Sequence, residues 1–174
     1  MDLTVNQRQS AFREEKMCHT ISVLVENKPG VLARISGLFS GRGFNIDSLA
    51  VGETEDPSTS RMTIVVRGDE RILEQVTKQL NKLIDVIKVT DLTGSNPIER
   101  ELFLIRVGAT KTTKPQVVQI VNNFQAKVVD VDQKSLTIEM TGDEEQNKAL
   151  LELLRSFGIK ELARTGRIAL ARSK

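Results

Sequence analysis

His19–Phe39, HTISVLVENKPGVLARISGLF, is the stretch that decides the fold. Ile21, Val23 and Val25 alternate with Thr20, Ser22 and Leu24, the pattern of a half-buried strand. Asn27-Lys28-Pro29-Gly30 has the composition of a turn and ends that strand. Val31, Leu32, Ile35, Leu38 and Phe39 then fall at helical spacing until Gly41 and Gly43 interrupt them. A strand therefore hands over directly to a short amphipathic helix.

Downstream, Ile46–Val51 and Arg61–Val66 read as two strands joined by the loop from Glu53 to Ser60. Asp69 opens a second helix bearing Ile72, Leu73, Val76, Leu80 and Leu83, and Val86–Leu92 reads as a closing strand. After Gly94-Ser95-Asn96-Pro97, which suits a linker, the same order begins again. Its elements are a strand at Leu102–Val107, a helix at Pro115–Phe124, strands at Ala126–Val131 and Ser135–Met140, a helix starting near Asp143, and a last strand at Ile168–Leu170. The expectation is an α+β chain of two tandem ferredoxin-like βαββαβ domains, each with two helices on one face of a four-stranded sheet. The boundaries are a flexible tail at 1–17, a first domain at 18–93, a linker at 94–98 and a second domain at 99–174.

Composition excludes several functions. With 174 residues and 39% hydrophobic content the chain can bury a core or two. Lys plus Arg number 25 against 23 acidic residues, and a net charge of +2 gives no pull toward nucleic acid or an anionic membrane. Cys18 is the single cysteine, so no internal disulfide and no cysteine-based zinc site can form within one chain. Met1–Lys16 is polar and of mixed charge, unlike a secretory signal or a membrane span, which leads us to expect a cytoplasmic protein.

Catalytic chemistry is thin. The only histidine, His19, adjoins Cys18, but neighbours on an extended segment point to opposite faces and cannot share a proton there. Gly41-Arg42-Gly43 follows a helix instead of opening one, so it is not a phosphate-binding loop. An RNA-binding domain of the same element order would stack bases on aromatic side chains, yet aromatics make up 3% of the chain and the first strand has none. No metal site and no catalytic residue is expected.

Two segments carry a signal. At Glu26–Leu32 one account is purely local: Asn caps a helix, Pro is tolerated in the first turn, and Gly permits tight geometry. The other account is functional, because free amides at a helix start can hold a carboxylate and Gly30 lets a ligand approach the backbone. The second segment is Arg42–Leu49, where Asn45 offers both a donor and an acceptor at a strand start, or is simply a polar turn residue.

These residues resemble the amino-acid-binding regulatory domain called ACT, and specifically the acetolactate synthase small-subunit family. The resemblance runs from about Met17 to the C-terminus through His19–Asn27, Arg42–Leu49, Ser60–Ile64, Gln79–Val89 and the closing Ala163-Arg164-Thr165-Gly166. The family's Val-Glu-Arg-Glu stands here as Ile98-Glu99-Arg100-Glu101. The resemblance implies a non-catalytic regulatory subunit of branched-chain amino acid biosynthesis. Such a subunit activates a separate catalytic chain and confers feedback inhibition by valine or another branched-chain amino acid. Thiamine diphosphate, magnesium and FAD are implied for that catalytic partner and not for this chain. The family pairs two ACT domains with the effector at their interface. Carried over by position, Asn27, Lys28, Pro29, Gly30, Val31 and Leu32 of one copy would meet Asn45 and Ile46 of the other. Gly52 lies near that pocket where many relatives carry a slightly larger residue. A free-standing amino-acid-binding module that regulates another enzyme or a transcription factor is the alternative, with a small enzyme of unrecognised site as a third reading.

Overall fold

The computed structural model describes residues 17–173, so the tail expected at 1–17 lies, apart from Met17, outside the described residues. In chain order the elements are β1 Cys18–Glu26, α1 Val31–Ser40, β2 Ile46–Glu53, β3 Thr59–Arg67, α2 Glu70–Leu80 and β4 Val86–Asp91. They continue as β5 Ile98–Gly108, α3 Lys114–Asn123, β6 Lys127–Val131, β7 Ser135–Gly142, α4 Glu144–Arg155, β8 Ile159–Arg164 and β9 Ile168–Leu170. The described residues gather into two compact units, 17–98 together with 167–173, and 99–166.

The first unit has strand order β2-β3-β1-β4 with antiparallel neighbours throughout. Register puts Ile21 opposite Ile64 and Val23 opposite Met62. Because side chains alternate along a strand, this one pairing aims Ile21, Val23, Val25, Met62, Ile64 and Val66 at the same face. All six are buried there against Val31, Ile35, Leu38 and Phe39 of α1 and Leu73, Val76 and Leu80 of α2. Each such side chain contributes about 1.5–3 kcal/mol relative to exposure, so the alternation in β1 and the helical spacing in α1 are two halves of one core.

The second unit repeats the plan. Its strands run β6-β7-β5-β8, and Phe103, Ile105 and Val107 face Met140, Ile138 and Leu136 in register. Val117 and Val121 of α3 and Leu150 and Leu154 of α4 complete that core. Asp143 caps α4 through a reciprocal pair: its carboxylate accepts from Gln146 N at 2.9 Å, and its own amide donates to Gln146 Oε1 at 3.2 Å. The two βαββαβ arrangements agree with the expected α+β, tandem ferredoxin-like class.

One assignment is corrected and another is extended. The fourth strand of the second unit is β8, Ile159–Arg164, which pairs with β5. It escaped the hydrophobic pattern because only Ile159 among its residues is even half-buried, and Lys160, Glu161 and Arg164 give it a charged edge. Ile168–Leu170, expected as the last strand, does form one, β9, and pairs with β5, while by its contacts it groups with the first unit. There it lies beside β1 and β3. Ile168 and Leu170 are exposed while Ala169 is 4% exposed, so the small residue is the one that faces inward.

This closing segment accounts for an oddity of the first sheet. Thr20, Ser22 and Thr63 point away from the helices yet are buried. The amide of Arg167 donates to Ser48 Oγ at 2.9 Å, and the amide of Ala169 donates to Thr63 Oγ1 at 3.3 Å. Arg167 also donates through Nη1 to Thr20 Oγ1 at 3.4 Å. Ser48 and Thr63 on this face thus accept from backbone amides of the closing segment and Thr20 from its arginine side chain.

Candidate functional site

The turn between β1 and α1 is held from outside the helix. Glu26 N donates to Asp85 O at 2.9 Å and Asn27 N to Ser58 O at 2.7 Å, which fixes the end of β1 against the loops on either side. The side chain of Asn27 does not cap α1. Its Nδ2 donates to Glu53 Oε1 and to Pro57 O, both at 2.9 Å, tying the turn to the loop between β2 and β3. Lys28 pairs with Glu26 at 2.6 Å, and this hydrogen bond, aided by the carboxylate's charge, raises the pKa of its ammonium. Arg34, one turn into α1, forms an ion pair with Asp85.

Gly30 is the N-cap residue of α1 and takes the left-handed conformation, φ 87° and ψ −11°. A residue with a Cβ pays steric energy there, which is why the position calls for glycine. Among the described residues no side chain caps the helix. Arg34 N reaches Gly30 O at 2.9 Å and Val31 N reaches Lys28 O at a long 3.4 Å. Among the described residues the amides of Gly30, Leu32 and Ala33 have no acceptor. Apart from Gly30 and its two chain neighbours, no heavy atom of the described residues lies within 4 Å of where a Gly30 Cβ would be. The helix therefore opens on bare donors beside free space, with Leu32 43% exposed next to them and Val31 turned into the core. Such an array can receive a carboxylate.

Asn45 and Ile46 stand elsewhere. Ile46 pairs with Val66, which pairs with His19, whereas Glu53 pairs with Ser60, which pairs with Val25. The two segments thus lie at opposite ends of β2, about 20–25 Å apart at a strand's rise per residue. One copy brings Asn27, Lys28, Pro29, Gly30, Val31 and Leu32 together and does not bring them to Asn45 and Ile46. Asn45 is exposed and donates through Nδ2 to Asp47 Oδ1 at 2.6 Å. Asp47 in turn is held by Arg67 at 2.9 Å, a hydrogen bond and ion pair that raise the arginine's pKa. Gly52 is exposed near the Asn27 end, and a Cβ there would meet nothing within 4 Å, so a larger residue would project freely.

Sequence reasoning missed Glu53, Pro57 and Asp85 as the groups that hold the turn. They lie 26, 30 and 51 residues from their partners, and loop residues without periodicity give no signal of such pairing. Cys18 is exposed while His19 is fully buried with Nε2 3.1 Å from Gly68 O, so the two do point to opposite sides. Among the described residues no group of three or more His, Cys, Asp or Glu side chains could hold a metal ion. No helix among them is long and apolar enough to cross a membrane.

Comparison with known proteins places both units. Residues 21–88 match the model of the AHAS small subunit-like ACT domain, and residues 100–173 match that of the small subunit of acetolactate synthase. A probable acetolactate synthase small subunit of Archaeoglobus fulgidus is 58% identical over 156 residues, which cover 90% of this chain and 98% of the relative. The acetolactate synthase small subunit of Mycolicibacterium smegmatis is 58% identical over 154 residues, 88% of this chain and 91% of the relative. The crystal structure of the acetolactate synthase small subunit from Thermotoga maritima superposes with a TM-score of 0.83 at 41% identity, covering 91% of this chain and 99% of that one. With both halves matched in order and relatives of this identity along nearly their full length, the chain belongs to the acetolactate synthase small-subunit family.

Proposed function

We propose that this chain is the regulatory subunit that docks on a catalytic acetolactate synthase subunit in the cytoplasm, raises its activity, and makes it responsive to valine or another branched-chain amino acid. The condensation chemistry, with its thiamine diphosphate, magnesium and FAD, belongs to the catalytic partner. The observation that carries the effector site is the left-handed Gly30 entry to α1, with the amides of Gly30, Leu32 and Ala33 bare beside open space. Those donors suit the effector's carboxylate. Exposed Leu32 suits a short aliphatic side chain. The Nδ2 groups of Asn27 and Asn45 are engaged by Glu53 and Asp47, which leaves their side-chain carbonyls to accept from the effector's ammonium.

Because Asn45 lies at the far end of β2, a ligand that touches both asparagines must bridge two copies. Binding and dimerisation through the first units are then linked. A ligand that binds the dimer alone stabilises it by about 2.7 kcal/mol per site at 100 times its dissociation constant. Sedimentation across a dilution series with and without valine tests this: valine should hold the dimer together at concentrations where the free protein dissociates. Equal valine affinity in a dilute monomer and in the dimer would rule the bridging site out.

A further inference from the structure

On the sheet face opposite α1 and α2, register places Arg61, Leu24 and Lys88 in one row across β3, β1 and β4. The next row is Thr63, Ser22 and Thr90. Two strand spacings set the backbones of Arg61 and Lys88 about 10 Å apart, with both side chains rising from the same face. Leu170 and Ala171 of the closing segment wall a cleft of about 260 Å³ on this face together with Ser22, Thr90 and Leu92. The whole cleft is built from the first unit.

Its charge is lopsided. Among the described residues no carboxylate lines it. Arg61 donates through Nη1 to Ser22 Oγ at 3.1 Å and has no acidic partner among the described residues, and Lys88 has none either. Two neighbouring like charges without a counter-charge among the described residues repel each other. An anion between them relieves that repulsion and gains charge-assisted hydrogen bonds. Ser22 accepts from Arg61 and so keeps its hydroxyl proton to donate inward, and Thr90 offers a second hydroxyl. Leu24, Leu92 and Leu170 give the rest of the cleft an apolar lining.

We infer that this cleft is a binding site for a small aliphatic carboxylate, separate from the turn at Gly30. The carboxylate sits between Arg61 and Lys88, and a short branched or unbranched carbon chain lies against the three leucines. An α-ammonium is disfavoured, because it would enter a cleft lined by two cations and, among the described residues, no carboxylate. The site therefore selects a plain, hydroxy or oxo acid over the amino acid of the same skeleton. This reading does not depend on the effector site proposed above.

The test uses the full chain, ¹⁵N-labelled, titrated with 2-methylpropanoate, with valine and with inorganic phosphate at matched ionic strength. Amide resonances of Ser22, Arg61 and Thr90 should shift saturably with 2-methylpropanoate. Lys88→Gln and Arg61→Gln each remove one charge and should weaken that binding about tenfold or more. Both side chains project to solvent, and an unchanged spectrum elsewhere shows that the variants remain folded. Valine should shift these amides at least tenfold less tightly than 2-methylpropanoate. Overturning outcomes are the absence of a saturable shift, affinity unchanged in both variants, tighter binding of phosphate than of the carboxylate, or equal response to valine.

Discussion

Replacing Gly30 by aspartate is the perturbation whose consequences the structure specifies most fully. The backbone there is left-handed at φ 87°, so any side chain pays a conformational penalty of about 1–2 kcal/mol. No contact clash adds to it, since nothing lies within 4 Å of the new Cβ. The melting temperature should fall by about 4–8 °C per kcal/mol for a unit of this size. Binding should suffer more. A carboxylate placed about 5 Å from that of the ligand repels it by about 0.8–3.3 kcal/mol for effective dielectric constants of 80 to 20. It can also occupy the amides that the ligand needs. Valine affinity should thus drop by about 4-fold to 200-fold, each 1.4 kcal/mol being tenfold. Gly30→Ala is the control, since it pays the backbone penalty without the charge. Calorimetric titration of the three proteins with valine, next to their thermal unfolding, separates the two effects. If Gly30→Asp remains folded and binds valine like the unaltered protein, the carboxylate does not sit at this helix entry.

Other outcomes follow from the same geometry. Asn45→Ala should lower both valine affinity and valine-linked dimerisation in sedimentation, while leaving the unliganded dimer nearly unchanged. Asp143→Ala removes the carboxylate half of the capping pair on α4 and should cost about 0.5–2 kcal/mol, read as a lower urea midpoint with an unaltered m-value. Ala169→Lys forces an ammonium into a position that is 4% exposed and should destabilise the first unit by about 1–3 kcal/mol, with loss of hydrogen-exchange protection at Thr20, Ser22 and Thr63. A chain ending near Gly94 lacks the closing segment altogether and should show the same loss of protection.

The first unit was legible in the sequence because its signals reinforce one another. The alternation of Ile21, Val23 and Val25 and the helical spacing of Val31, Ile35, Leu38 and Phe39 are both demands of a single core. Asp69 and Asp143 marked the starts of their helices in the sequence, and in the structure both cap them by accepting a backbone amide. Legibility failed where burial and hydrophobicity part company. β8 is a strand by pairing with β5, although its charged, exposed residues carry no periodic signal. At Ile168–Leu170 the two large residues are the exposed ones and alanine is buried, which inverts the usual reading. At the candidate site the sequence located the turn and the need for Gly30. It did not disclose that Asn27 would be drawn away from the helix by Glu53 and Pro57, a contact between loops that only the assembled sheet creates.

The most direct test of the regulatory account is the initial rate of acetolactate formation by the cognate catalytic subunit, measured alone, with this chain, and with this chain plus valine or its leucine and isoleucine counterparts. The chain by itself should turn over no pyruvate. Added to the catalytic subunit it should raise the rate, and at least one branched-chain amino acid should reverse that gain only when the chain is present. A catalytic rate indifferent to this chain, or an amino-acid response that is the same without it, would contradict the account.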